Sequence, residues 1–444
     1  MKNLLVELFV EELPPKALKK LGEAFAQALG ESLKTQGLAP AHAVVTAYAS
    51  PRRLAAHVSG VVAAAADKPV VQKLMPVAVG LDAAGNATPA LLKKLAALGA
   101  NASVVPQLRR DEQRRFEPRH NPFLEHATIT PFLAFDGDRI VGRIAAIDDR
   151  LHNDVHHESV TWFGFFEATS AVVAQALMAA VERHARAQGS TAVRGPVNPS
   201  LHEAAGLLVR GFDDPPYALM SYNPEAYASF IESGGYAPVK DLYAWRLDMT
   251  KPLPERLTKI ADRVRHRYGI TIRPVNLKRF DDELEILKTV YRAAWAENWG
   301  FVPPTDAEIR QLAVDLKPIV DPELVLFAEM NGEPVGCTVS IPDVNQVLKK
   351  MNGSLFPFGL FHFLRRKTII TRARMLLLGV MPSARKLGLY PLLIAEAHAR
   401  GAARGYREGE VGWTLEDNTL INAGIEAAGG VHTKTYRLYE KPLA

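Results

Sequence analysis

The chain has 444 residues, 48% of them hydrophobic and 23% charged, with a formal net charge of +5 at pH 7. Such a composition excludes a disordered or fibrous chain, supports two to four cores at ~100–200 residues each, and is too mildly and evenly basic to demand nucleic acid. The single cysteine, Cys337, excludes an intramolecular disulfide and a cysteine-built metal site; within the apolar strand pattern EPVGCTVS it reads as a buried, inert thiol.

The first residues, MKNLLVELFVEELPP, form no export signal, because Glu7, Glu11 and Glu12 interrupt a short apolar run. No stretch approaches the ~20 apolar residues of a membrane span, so a cytoplasmic protein is expected. Leu18, Leu21, Phe25 and Leu29 stand at helical spacing, with Pro15 before them and Gly37 after. AVVTAYASPRRLAAHVSGVV (43–62) alternates as strands broken at Pro51, and residues 87–99 predict a further short helix. The arginines of SPRR read as a solvated pair.

From VVPQLRR (104–110) onward the texture changes. ITPFLAFDGDRIVGRIAAI (129–147) predicts a hairpin turning at Asp136–Gly137, and LVLFAEMNGEPVGCTVSI (324–341) a second one turning at Asn331–Gly332. VERHARAQG (181–189) echoes AEAHARGAARG (395–405), and NPEAYASFIESGGY (223–236) echoes NTLINAGIEAAGGV (418–431). Self-similarity of this kind predicts a duplicated unit. The copies are 107–252 and 253–444, joined at TKPLPERL, after an N-terminal segment 1–106. Each copy reads as hairpin, strand, helix, strand, helix, strand: an α/β unit (α+β mixed sheets) with helices on the sheet faces. The aromatic run SLFPFGLFHFLRRK (354–367) reads as an inserted segment covering a pocket, with contact to a membrane surface as the alternative.

The second copy carries the candidate site. ARMLLLGVM is a buried strand, PSARKLGLY a basic turn, and LYPLLIAEAHARGAARG a helix ending at Gly405. A strand–turn–helix aims free backbone N–H groups and the positive end of the helix dipole at one point, which favours an anion. The cradle comprises Val380, Met381, Arg385, Lys386, Leu387, Gly388 and Leu389; Gly388 permits close approach, and Arg385 and Lys386 supply countercharge. Asn418 follows the next strand as a helix cap, and no metal is expected.

The order of strand, basic turn, helix, strand, Asn-capped helix and strand resembles the GNAT superfamily of N-acetyltransferases. Its coenzyme A motif is Gln/Arg-x-x-Gly-x-Gly/Ala; Arg385-x-x-Gly388-x-Tyr390 matches two of the three positions, with Tyr390 replacing the small residue. NPFLEHA, VGRIAAI, FGFFE, RGPVNPS, NWGFVP, LKPIVDPELVLFAE, PDVNQ, LFPFGL and WTLEDN together resemble a family of double-domain acetyltransferase-like bacterial proteins. The resemblance implies two tandem GNAT-like acyl-CoA N-acyltransferase units, the first a degenerate partner without the cradle. It also implies an acetyl-CoA or other acyl-CoA cosubstrate and direct transfer to a small-molecule or peptide amine.

Ile425 and Glu426 fill the place where the superfamily's helical tyrosine stands, so Tyr436 and Tyr439 are the substitute acids and Glu416 the candidate base, each with a packing or ion-pairing role as the alternative. Trp295 and Trp299, four apart and so on one helix face, are placed with Asn345 in an acceptor pocket, with ordinary core packing equally open. His398 reads as a packed helix residue, and VRGPVNPS as a rigid loop beside the acceptor cleft.

LLVELFVEELPPKALKKL, ASPRRLAAHV and LMPVAVGLDAAGNATPALLKKL resemble the extreme N-terminus of the bacterial glycyl-tRNA synthetase beta subunit, whose catalytic site lies on a separate subunit. No activity carries over from such a fragment. VVPQLRR fits both resemblances, so the chain reads as a chimera. Three functions remain open: an acyl-CoA-dependent N-acyltransferase, a catalytically lapsed relative holding coenzyme A or another anion, and a tRNA-associated protein.

Overall fold

The computed structural model describes residues 2–10, 12–35, 38–62, 109–351 and 359–443; the helix expected at 87–99 lies outside them. The chain divides into two compact units, Met1–Ala100 and Asn101–Ala444.

The first unit holds β1 (Lys2–Phe9), α1 (Leu18–Thr35), β2 (Val45–Ser50) and β3 (Arg53–Val61). The strands form an antiparallel sheet in the order β1-β3-β2, with Pro51 and Arg52 making the β2–β3 turn. The helix is where its periodicity placed it, but its buried face is Gly22, Ala26, Gly30 and Leu33 rather than the stripe through Leu21 and Phe25. Close approach decides the difference. A Cβ on Gly30 would lie 2.7 Å from a Val45 methyl and one on Gly22 2.9 Å from Ala49 Cβ, so only the small-residue face fits against the sheet.

The second unit begins with α2 (Arg109–Arg114), β4 (Ala127–Asp136), β5 (Arg139–Asp149), α3 (Arg150–His156), β6 (Val160–Ala168), α4 (Ala171–Ala187) and β7 (Ala192–Gly195). The short strands β8 (Val197–Asn198), β9 (Ala204–Ala205) and β10 (Leu207–Arg210) follow, then α5 (Ala226–Ser233) and β11 (Ala237–Asp248). The second copy runs α6 (Glu255–Tyr268), β12 (Ile270–Pro274), α7 (Phe280–Trp295), α8 (Asp306–Leu316), β13 (Val325–Met330), β14 (Glu333–Pro342), α9 (Asn345–Met351), α10 (Gly359–Leu364) and α11 (Arg366–Ile369). It ends with β15 (Arg372–Val380), α12 (Leu389–Ala403), β16 (Glu408–Leu415), α13 (Thr419–Ala427) and β17 (Val431–Pro442).

Both hairpins are present, the second turning at Asn331 and Gly332 with φ of 54° and 83°, as an Asn-Gly turn requires. In each copy the strand after the hairpin pairs in parallel with the next one through a crossover helix: β6 with β7 around α4, and β15 with β16 around α12. The copies do not form separate sheets. One sheet runs β12-β13-β14-β15-β16-β11-β17-β7-β6-β5-β4, with β10 also on β17. The last strand of each copy therefore completes the other: β11 pairs with β16, and β17 with β7. Trp245, Leu326, Val380, Leu389 and Leu393 belong to the core under α6 and α12, whereas Phe163, Leu177, Val181 and Tyr439 belong to the core under α4. Cys337 is fully buried, and burial pushes its thiol up to about 12, so it stays protonated and inert.

Candidate active site

A fork in the sheet organises the site. β15 and β16 pair from Arg372↔Glu408 to Met375↔Val411 and then part, although β15 continues to Val380 and β16 to Leu415. On its other edge β15 pairs Leu377 with Val339 but Met375 with Ser340, which makes Leu376 the extra residue of a β-bulge at the mouth of the fork. The backbone of Leu376–Val380 thus faces no strand on the side of the opening.

The basic turn stands at the end of this free edge. Met381 N–H bonds to Val335 at 2.9 Å, and Pro382–Leu387 then form a 3-10 turn. Gly388 adopts φ +80°, and α12 starts with no side chain capping its N-terminus. Burial of Val380, Ala384 and Leu389 fixes the turn against the core. Arg385 is engaged: Nη1 donates to Glu297 at 2.5 Å and Nη2 to the Ala294 carbonyl at 3.1 Å. Lys386 is exposed, and Tyr390, half-buried, packs its ring against the core. Asn418 caps α13, accepting from Ile421 N–H at 3.4 Å.

The first copy has the same fork but fills it. β6 and β7 part after Trp162↔Arg194, and a register shift against β5 lies opposite Phe165, which has φ +52°. The loop of RGPVNPS occupies the opening: Asn198 Oδ1 accepts from Phe165 N–H at 2.5 Å, and a Cβ on Gly164 would lie 1.7 Å from the Val197 carbonyl. α4 begins at Ala171 with Ser170 capping it, so no turn and no free helix end remain.

The expected acid, base and acceptor residues do not come together. Glu416 is exposed and accepts from Asp241 N–H at 3.0 Å. Tyr436 and Tyr439 are both fully buried, but in different cores, and Tyr439 donates to Glu232 at 3.0 Å. Trp295 ends α7 and Trp299 lies in the loop after it, so the two do not share a helix face. Trp295 lies over Gly379, where an added Cβ would meet its ring at 2.3 Å, whereas Trp299 stands 5.6 Å from Arg194 and Lys240. Asn345 is buried elsewhere, donating to the Pro216 carbonyl at 2.9 Å.

Two polar clusters lie where pattern reading had placed none. At the closed end of the fork, Arg374 and Glu410 face each other, and fully buried Lys434 lies 2.5 Å from Asp214 and 3.6 Å from Glu410. Arg372 joins Asp214 to Glu408 at 2.9 and 2.6 Å, and the Tyr217 hydroxyl donates to Glu408. Burial raises the Glu410 carboxyl, and neither of its oxygens nor the Tyr436 hydroxyl has a hydrogen bond. Burial also pushes Asp343, beside Ala218 N–H, up to about 7. The signal was available: Arg372-x-Arg374 and Glu408-x-Glu410 are opposite charges at strand spacing.

The second cluster is a small cleft of about 20 Å³ between the copies. NPFLEHA supplies Phe123 and His126, the loop after β7 supplies Ser200 and His202, and NWGFVP supplies Gly300 and Val302. His126 Nδ1 lies 2.9 Å from Asp149, which caps α3, and Nε2 lies 3.3 Å from Glu308 in the capping box of α8. Burial opposes the imidazolium, but the two carboxylates outweigh it and hold His126 up to about 9. Burial pushes His152 down to about 4, so it is neutral at pH 7. His202 Nε2 must donate to the Val302 carbonyl at 2.6 Å, which leaves Nδ1 to accept from Tyr291 at 2.9 Å. Tyr291 packs on Trp295 at 4.8 Å, and Trp295 on Gly379, so α7 links the cleft to the fork.

Segments scattered through the sequence resemblance thus converge on one cleft. A bacterial ceramide synthase from Caulobacter vibrioides is 37% identical over 372 residues, covering 80% of this chain and 96% of that protein. The chain belongs to the same family as this synthase. Its second unit is a tandem fold of mixed α/β sheet. A tandem GNAT protein of the clavulanic acid biosynthesis pathway superposes with a TM-score of 0.44 at 12% identity, over 71% of this chain and 83% of that one. The model of the glycyl-tRNA synthetase beta subunit matches residues 4–122. The glycine–tRNA ligase beta subunit of Dechloromonas aromatica is 80% identical over 114 residues, 25% of this chain but 16% of that subunit. The chain therefore joins a synthetase-like N-terminal segment to a body of the ceramide synthase's family. Among the described residues no helix is long and apolar enough to cross a membrane, and no group of side chains is arranged to hold a metal ion.

Proposed function

We propose that the chain is an acyl-CoA-dependent N-acyltransferase with one donor site, the fork between β15 and β16. The observation that carries this reading is the contrast between the copies. One fork is open, bulged at Leu376 and followed by an uncapped helix end, while the other is filled by the chain's own Val197–Asn198. In this reading the free edge of Leu376–Val380 pairs with the donor's amides. Gly388, the N-terminus of α12 and exposed Lys386 receive its phosphates. The amine nitrogen attacks the thioester carbonyl; a C–N bond forms, the C–S bond breaks, the amine gives up a proton and the thiolate leaves.

A ceramide is a fatty amide of a long-chain amino alcohol, so kinship with a ceramide synthase favours a long-chain amine and a fatty acyl donor over an acetyl group. The cleft around His126 and His202, tied to the fork through Tyr291 and Trp295, is too small for the chain of such an amine and in this reading faces only its polar end. The test is thiol release from palmitoyl-CoA and from acetyl-CoA, each with sphinganine or a short amine. Amine-dependent release with the long donor is the expected result. Calorimetric silence with every coenzyme form would overturn the donor site.

A second reading is a catalytically lapsed binder. The burial of Ile425 in the helix where a tyrosine is expected, and of Tyr436 and Tyr439 in the core, favours it. Heat on coenzyme binding without thiol release from any amine would select it.

A further inference from the structure

Between Asp343 and Glu396 the chain has no acidic residue and nine basic ones. With +5 for the whole chain, everything outside this segment sums to −4. Three of the nine are held internally: Arg372 by Asp214 and Glu408, Arg374 by the Ala218 and Gly412 carbonyls, and Arg385 by Glu297. Lys386 stands at the cradle. The other five, Lys349, Lys350, Arg365, Arg366 and Lys367, lie on α9, α10–α11 and the residue between them, short helices that pack on one another and lead from β14 to β15.

Among the described residues no ion pair holds Lys350, Arg366 or Lys367, whereas half-buried Lys349 has Asp214 near it. Arg366 donates to the Phe363 and Pro318 carbonyls at 3.3 and 3.4 Å and lies 4.6 Å over the Phe363 ring, with no carboxylate among these partners. Lys350 and Lys367 are exposed. Beside them the apolar side chain of Leu364 is 67% exposed. Cations flanking an exposed aliphatic side chain fit a surface that is anionic outside and apolar beneath. Nucleic acid would engage the cations and leave Leu364 in water.

We propose that the α9–α11 corner docks on an anionic lipid bilayer. Register places it well. β14 and β15 pair Pro342 with Ala373 at this end and Gly336 with Val380 at the cradle end, so lipid head groups and the donor's phosphates occupy opposite ends of the strands. This proposal stands apart from the acyl-transfer reading, because its test contains neither donor nor amine.

The test is co-sedimentation of the full-length chain with vesicles of phosphatidylcholine, alone or with phosphatidylglycerol, at low and high salt and with bulk tRNA as competitor. Binding to the anionic vesicles, weakened by salt, is expected. K350Q/R366Q/K367Q should lower partitioning roughly 100-fold, at ~fivefold for each cation removed. L364D should lower it without changing the number of cations. All four positions are at or near the surface, and an unchanged circular dichroism spectrum confirms that each variant folds. Equal binding to neutral vesicles, undiminished binding by the triple variant, or tRNA retention without vesicle binding would each overturn the proposal.

Discussion

The imidazolium of His126 makes the joint between the two copies sensitive to alkali. His126 lies between Asp149 and Glu308, which belong to the first and second copies, and its side chain is 15% exposed. Its folded value of about 9 lies above the ordinary 6.5. The stabilisation is therefore complete below pH ~6.5 and disappears as pH rises through 9. A displacement of that size corresponds to about 3 kcal/mol at ~1.4 kcal/mol per pH unit. For a unit of more than 300 residues this is on the order of 5 °C in melting temperature. The assay is thermal unfolding by circular dichroism at pH 6, 7.5 and 9.5, for the native chain and for His126→Gln. The native chain should lose several degrees more than the variant between the first and last pH. His152, depressed from 6.5 to about 4 by burial, has the opposite sign and weakens the fold as pH falls from about 6.5 towards 4, in the native chain and the variant alike, so it leaves the alkaline limb untouched. Parallel pH profiles for the native chain and the variant would refute the assignment.

Gly379→Ala should displace the Trp295 ring by about 1 Å at a cost of ~1–3 kcal/mol, and should shift tryptophan fluorescence and weaken acyl-CoA affinity together; an unchanged spectrum would place Trp295 elsewhere. Gly388→Val forces a β-branched residue to φ +80° and should abolish calorimetric binding of coenzyme A while the fold persists. Lys434→Met leaves Glu410 without one of its two cations in a dry site and should cost about 3–5 kcal/mol in denaturant unfolding. Amplification of source DNA across codons 80–130 should give one continuous product; two separate genes would show that the joined chain is not encoded as such.

The legible parts of this protein are those set by local chemistry. Asp136–Gly137 and Asn331–Gly332 adopt hairpin turns because few residue pairs tolerate the required dihedrals, and the strand–turn–helix from Arg372 to Ala403 follows from an apolar run, a proline and a glycine. The duplication was readable because both copies repeat the same spacing before a Gly-Gly pair. Glu416 and the paired tryptophans were misplaced for the converse reason: their roles depend on neighbours distant in sequence. Glu416 meets Asp241, and Trp295 meets Gly379, across strands that no periodicity connects.

The sequence alone determined the two resemblances of the chain, the repeat, and the strand–turn–helix around Gly388. Tertiary structure decided that the copies share one sheet by exchanging β11 and β17, that the first fork is filled while the second is open among the described residues, and that landmarks from 121 to 303 close around His126 and His202. The physical reason is range. Backbone dihedrals and amphipathic periods are written within a few residues, whereas strand order, the filling of a fork and the pairing of buried charges are settled only when segments hundreds of residues apart compete for the same space.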